Sequence, residues 1–162
     1  MKRKKNTEAV LTPDPYLGFL QSMALQGVGL DSTSATVDRT ALAEAISANE
    51  AGELALDANF GVLLNSAEFL VTVGAFKLTQ LHRKDSEKPL LMLECSFSAM
   101  FQHSQPVDSA TAERFANTEA KLIFWPYLRH FVADTTYRMA ITPVLLPLIT
   151  STGTSAPSAQ KQ

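Results

Sequence analysis

Residues 90–103, LLMLECSFSAMFQH, alternate in character with a period of two. Leu91, Leu93, Cys95, Phe97, Ala99 and Phe101 form one set, apolar throughout, while Leu90, Met92, Glu94, Ser96, Ser98 and Met100 form a mixed one. Wound into a helix, neither set would share a face. In a β-strand successive side chains point to opposite sides, so the pattern demands an antiparallel strand with one face buried and the other partly open. Pro89 opens this strand, and the charged stretch 83–88 reads as the hairpin loop before it. Phe69 to His82 (FLVTVGAFKLTQLH) is then the preceding strand, rich in β-branched and aromatic residues. There Phe69, Val71, Val73 and Ala75 oppose Leu70, Gly74, Phe76 and Leu78, so both faces are largely apolar. A sheet with that much apolar surface must be covered, by helices or by another subunit.

Two earlier strands complete the β region. The stretch VGLDSTSATVD (28–38) reads as the first, and Glu53 to Phe60, running on through Val62 and Leu64, as the second. Between them, residues 40–52 read as a loop or short helix closed by Gly52. Ahead of all four, Pro13-Asp14-Pro15 offers a helix start followed by Tyr16, Leu17, Phe19, Leu20 and Met23. After Pro106 the period changes. Residues 107–124 are helical in pattern, anchored by Phe115, Leu122 and Ile123, and Pro126 reads as the first residue of a second helix reaching about Ala140. Proline is tolerated at that position because no backbone donor is needed there. Pro143 and Pro147 punctuate a last apolar run, VLLPLI. The fold class expected is α+β: a four-stranded antiparallel sheet followed by a long, Pro-interrupted helix, packed as an oligomer. Residues 1–12 and the polar stretch 151–162 (STGTSAPSAQKQ) are expected to be disordered tails around a single domain at 13–150.

With 46% apolar and 19% charged residues, the 162-residue chain has material for a core. Its mean hydropathy of +0.02 is high for a monomer of this size, which again points to apolar surface meeting another chain or a ligand. A net charge of −2 gives no basic field to recruit nucleic acid, and Lys2-Arg3-Lys4-Lys5 reads as a solvated end. Thr12-Pro13-Asp14-Pro15 and Gln21 interrupt any signal-peptide core, and no apolar run approaches the ~20 residues that span a bilayer. Cys95 is the only cysteine, which fits a reducing, cytoplasmic location.

Catalytic signals are sparse. The sequence holds no P-loop, Gly-x-Gly-x-x-Gly, cysteine pair or nucleophile elbow. His82, His103 and His130 are scattered without ligand spacing, so no metal and no cofactor is expected, and His82 and His103 read as exposed strand-end residues. Cys95 lies on the all-apolar face, where a thiol behaves as a small hydrophobe. Glu94 on the mixed face has no evident acid/base partner. His130, Asp134 and Arg138 recur at i, i+4, i+8, a solvated helix stripe with an Asp–Arg pair. Arg129 beside it is expected to pair with a carboxylate of the sheet or of a partner chain. No enzyme is assembled by these residues.

The segment FWPYLRHFVADTTYRMAITPVLLPLI resembles the SecB family of protein-export chaperones. Trp125, Pro126, Tyr127, Arg129, Arg138, Ile141, Pro143, Leu145 and Leu146 carry the likeness. FLVTVGAFKLTQ and PLLMLECSFSAMF look like the family's third and fourth strands, and the resemblance covers about residues 25–149. It implies an ATP-independent holdase built as a dimer of dimers, with helices between two sheets and extended apolar grooves for unfolded preproteins. It implies Phe97, Phe101, Trp125, Tyr127 and Phe131 as client-binding residues. It places Leu93, Cys95 and Phe97 at the oligomer interface, and Asp31, Met92 and Glu94 on an outer face that docks the SecA translocase motor. Asp31 is the one acidic residue near the family's docking positions in the first strand, and Gly27 occupies another. The export-type second C-terminal helix and acidic tail have no counterpart in STGTSAPSAQKQ. The helix-like PYLGFLQSM before the first strand is similar to the divergent members that accompany toxin–antitoxin systems, which makes an antitoxin the other partner implied.

Beside this stands a reading from another class, a small-molecule binder or enzyme with a cavity between sheet and helices, for which His82, His103 or Glu94 would have to converge. A plain α+β oligomerisation module is the third.

Overall fold

The computed structural model describes residues 14–148; the expectations for residues 1–12 and 151–162 lie outside them. The element order is α1 (Pro15–Ser22), β1 (Ala24–Val37), α2 (Arg39–Ser47), β2 (Ala51–Asn65), β3 (Phe69–His82), β4 (Asp85–Gln102), α3 (Ser109–Asn117) and α4 (Glu119–Arg138). The strands form one antiparallel sheet in the order β1-β4-β3-β2. The expected α+β class and the four-stranded sheet followed by a long helix are what the chain adopts.

The period-two reading of β4 holds residue by residue. Leu91, Leu93, Cys95, Phe97, Ala99 and Phe101 are all buried. Across the ladder Leu93 faces Leu78, Cys95 faces Phe76, and Phe97 faces Gly74, so Leu70, Thr72, Gly74, Phe76 and Leu78 are the inner face of β3. Cross-strand neighbours on one face touch, which makes this pair the core's floor. The hairpin between β3 and β4 is tighter than expected. Only Arg83 and Lys84 turn, and β4 already begins at Asp85. Pro89 therefore lies inside β4, beside shifts in register between Gln80 and His82, an irregularity where a residue without N–H does least harm.

Over the inner face lie α3 and α4. The buried stripe of α4 is Ala120, Phe124, Leu128, Val132 and Thr136, one residue every fourth position facing the sheet. Phe124 makes ring contacts with Phe60 and Phe76, at centroid separations of 6.4 and 6.5 Å. Gly74 lies directly beneath: a Cβ there would sit 2.9 Å from a carbon of the Phe124 ring and 3.0 Å from the Phe76 ring. The glycine is thus a matter of space. It lets an aromatic ring rest on the sheet backbone.

Two expectations are corrected here. The helical region does not break at Trp125-Pro126. It breaks at Thr118, and Pro126 lies within α4. An interior proline gives up one helix hydrogen bond at a cost of about 3 kcal/mol. The buried stripe on both sides of it contributes ~1.5–3 kcal/mol for each large apolar side chain, which outweighs that cost. Pro126 and Leu122, whose carbonyl loses its helical partner, are both exposed residues. Secondly, Gly52 does not close α2. The left-handed residue after that helix is Asn49, at φ 56°, and Gly52 belongs to β2, where a Cβ would meet the Leu81 carbonyl oxygen at 2.5 Å.

α2 caps one end of the sheet. Its Ala41, Leu42 and Ala45 cover Leu90, which is why that member of the mixed β4 set is fully buried. Arg39 links α2 to the end of α4 by donating from Nε and Nη2 to the Met139 carbonyl at 3.2 and 3.1 Å. The chain then leaves α4 through Ala140 at φ 55°.

Two substitutions test this packing by urea unfolding at one fixed protein concentration. Gly74→Val is expected to destabilise by about 1–3 kcal/mol, the usual cost of overfilling a packed core. Ala140→Gly is expected to stabilise by about 1 kcal/mol by removing a Cβ from a left-handed backbone. A neutral Gly74→Val would mean that Phe124 does not rest on β3.

Candidate functional site

α4 lies over β3 and β4, and α3 over β2. Neither reaches β1. The register pairs Leu25, Val28, Leu30, Thr33, Ala35 and Val37 of β1 with Phe101, Ala99, Phe97, Cys95, Leu93 and Leu91, so all six lie on the helix side of the sheet. Yet Leu25 is 47% exposed and Leu30 50%, and only Val28 and Val37 are even half-buried. The result is an open apolar trough. Its floor is β1, and its wall is the near flank of α4, where Tyr127 and Phe131 stand 6.4 and 6.3 Å from the Phe97 ring. Tyr127 keeps 43% of its surface in water. Burying such side chains is worth ~1.5–3 kcal/mol each, so the trough gains from being covered.

The aromatic residues singled out by sequence therefore divide into three places. Phe97, Tyr127 and Phe131 converge at the trough. Phe101 is buried under α1 and α3, 5.0 Å from Phe115, which itself meets Phe19. α1 is held there by Tyr16, whose hydroxyl donates to Glu119 and whose ring lies 3.7 Å from the Arg114 guanidinium. Burial foremost, and then the Glu119 carboxylate, push the Tyr16 phenol above its ordinary value.

Trp125 belongs to the opposite flank of α4. At 3.6 residues per turn, positions 125, 129 and 136 share a side that Tyr127 and Phe131 do not. Along that side runs the extended segment 142–148. Trp125 Nε1 donates to the Pro147 carbonyl at 2.9 Å, Arg129 Nε to the Leu146 carbonyl at 2.8 Å, and the Val144 N–H to Thr136 Oγ1 at 3.0 Å. Arg129 thus pairs with a backbone carbonyl, where sequence reasoning expected a carboxylate. Leu146 is buried, while Leu145 and Leu148 are 78% and 72% exposed.

On the sheet's outer face stand Asp31, Met92 and Glu94. Asp31 sits at an irregularity in the β1–β4 register and accepts from Ser98 Oγ at 2.9 Å. Glu94 is not alone: the β3–β4 register sets Lys77 directly opposite, and the two form an ion pair at 3.0 Å. Farther along, Leu64, Val71 and Met100 line up across three strands. Leu93, Cys95 and Phe97, expected at an oligomer interface, lie beneath α4 in the chain's own core.

The other titratable groups are dispersed. His103 is corrected from exposed to buried, 4% accessible, with Nδ1 2.7 Å from the Gln105 carbonyl. His82 is half-buried and faces Glu50 at 3.3 Å, and Lys84 pairs with the same carboxylate. The Lys84 hydrogen bond foremost holds Glu50 below its usual value. His130 is exposed on α4, and Arg138 pairs with Asp134 at 2.8 Å. Glu94, His82 and His103 do not meet, and Phe76, Phe97, Phe124 and Leu128 fill the layer between sheet and helix. Among the described residues no three His, Cys, Asp or Glu side chains converge as metal ligands, and no helix is long and apolar enough to cross a membrane.

No family model matches the sequence, and no curated protein matches it. Solved structures do. The fold is similar to that of the SecB-like chaperone Rv1957 of Mycobacterium tuberculosis, solved in complex with a ChAD peptide from the Rv1956 HigA1 antitoxin. That likeness has a TM-score of 0.62 at 18% identity and covers 90% of this chain and 100% of that chain. A protein of unknown function from Streptococcus agalactiae is similar at a TM-score of 0.45 and 10% identity, over 78% of this chain and 97% of that one. The first match establishes a SecB-like fold.

Burial raises the Cys95 thiol to about 11. A raised value leaves the thiol protonated at neutral pH, and reactivity grows only as pH climbs toward it. Ellman's reagent at pH 8 is therefore expected to leave the folded protein unlabelled and to titrate one thiol in denaturant. Rapid stoichiometric labelling without denaturant would place Cys95 outside the core.

Proposed function

We propose that this chain is an ATP-independent holdase that binds unfolded polypeptides and keeps them competent for export or assembly. The observation that carries the reading is the uncovered apolar trough over β1, walled by Tyr127 and Phe131 above Phe97, on a SecB-like fold. An unfolded segment offers apolar side chains in no fixed order. A binder for it needs broad, side-chain-tolerant apolar contact, which an open strip of leucine, valine and aromatic rings supplies.

In this reading Tyr127 and Phe131 contact the client directly, and the buried Phe97 supports them from beneath. Phe101 and Trp125 act through the surfaces they support, Phe101 by seating α3 and Trp125 by seating segment 142–148. Homo-oligomerisation, as a dimer of dimers, belongs to the same proposal. The exposed leucines of β1 give a second protomer something to cover, while Leu93, Cys95 and Phe97 shape that surface from below. An antitoxin is the favoured specific partner, because the similar Mycobacterium tuberculosis chaperone was solved with an antitoxin peptide. SecA docking through Asp31, Met92 and Glu94 is the lesser branch, since Lys77 offsets the Glu94 charge on that face. The working location proposed is the cytoplasm.

The test is suppression of aggregation, without nucleotide, of a chemically denatured protein diluted into buffer. The wild-type chain is expected to suppress it near stoichiometry. The double variant Leu30→Ser, Tyr127→Ser removes two exposed side chains, so it is expected to keep its fold and to bind the denatured protein at least about tenfold more weakly. Sedimentation of both proteins separates lost client binding from lost assembly. A folded wild-type protein that leaves aggregation unchanged would sink the proposal.

A further inference from the structure

The far flank of α4 is built to hold main chain. Trp125 and Arg129 donate to two successive carbonyls, those of Pro147 and Leu146, and Thr136 Oγ1 accepts from the Val144 amide. All three side chains thus address backbone atoms, which every polypeptide carries. Specificity enters through side chains at two positions, the buried Leu146 and the half-buried Val144 that packs against the core. Leu145 and Leu148 point into water and add nothing to the hold. The segment itself forms no helix or strand and pairs with no sheet edge.

We propose that this flank is a second polypeptide seat, for an extended segment with one apolar anchor, which the chain's own residues 144–147 fill and an unfolded client displaces. The proposal rests on the holdase reading and names a further place where the client binds. Its physical basis is a near balance. Three side-chain hydrogen bonds, one buried leucine and a half-buried valine oppose the entropy of ordering an otherwise irregular segment. A client offering the same backbone groups and an apolar anchor exchanges for the resident segment with little net loss of contacts. The connection through residues 139–143 keeps the displaced segment at hand, so the seat refills when the client leaves.

The test uses the full chain. Trp125 is the only tryptophan, so its emission reports on this flank alone. Leu146→Asp loosens the resident segment without altering the seat. If the filled state dominates by about ten to one, loosening it raises the apparent affinity for an added peptide about tenfold. The probes are a synthetic peptide of residues 142–148, TPVLLPL, and a chemically denatured protein. Expected are tighter binding of both probes by the variant, with a shift in Trp125 emission. Expected also is faster hydrogen exchange of the wild-type Val144 amide once the denatured protein is bound. If Leu146→Asp does not fold, Leu146→Ala gives the same comparison with a smaller gain. Binding of the denatured protein with the Val144 amide still protected, and no gain from either variant, would overturn the second seat and leave the holdase reading standing. Failure of the wild-type protein and both variants to bind the denatured protein overturns both.

Discussion

The ring of Phe124 rests on the backbone of Gly74, and the placement of everything above the sheet follows from that approach. A helix cannot come so near a sheet over ordinary side chains. Interaxial distances are set by what lies between, and a missing Cβ admits an aromatic ring where a β-branched residue would lift it away. With Phe124 seated over β3, the four-residue spacing of Ala120, Leu128, Val132 and Thr136 carries α4 along β3 and β4. A single helix can cover only about that width. β1, on the far side of β4, is left with most of its helix-facing side chains in water, Val28 and Val37 being half-buried. The apolar trough is thus a consequence of where the core closes.

The same placement gives α4 two unlike flanks. Toward β1 it presents Tyr127 and Phe131, aromatic surface without hydrogen-bonding duty in the described structure. Away from β1 it presents Trp125, Arg129 and Thr136, each with a polar atom spent on the backbone of residues 144–147. One face attracts apolar side chains and the other grips main chain. An extended polypeptide has both, which is why the two surfaces fit a single proposed class of ligand.

Much of the fold was legible in the sequence because a period-two pattern has only one good solution. Strand β3 matches its expected bounds, and the inner and outer sets of β4 fell as expected, since a slip of one residue would bury Glu94 and expose Phe97. What was not legible depended on energies summed over distance. Pro126 is a strong local signal for a helix start, and it lost to a buried stripe extending on both sides of it. The hairpin charges at 83–88 look like a loop, yet Asp85, Glu87 and Lys88 belong to strand β4. Lys77 and Glu94 lie seventeen positions apart in sequence, and their pairing exists only once the β3–β4 register is known. His103 sounded exposed because strand ends usually are, and it is covered by the turn that leads toward α3.

For the candidate site, the aromatic excess around Trp125 was readable, but its division was not. Residues 125, 127 and 131 look like one cluster in sequence, and helical geometry sends Trp125 to one flank and the other two to the opposite one. Nor does sequence distinguish an apolar run that fills a core from one that lies along a helix with Leu146 fully inserted and Val144 half-buried. That distinction bears on mechanism. A segment buried on all sides would be part of the fold. One held by three hydrogen bonds, the buried Leu146 and the half-buried Val144, with Leu145 and Leu148 in water, is held about as firmly as a ligand would be, and the proposed competition for its place follows from how little fixes it there.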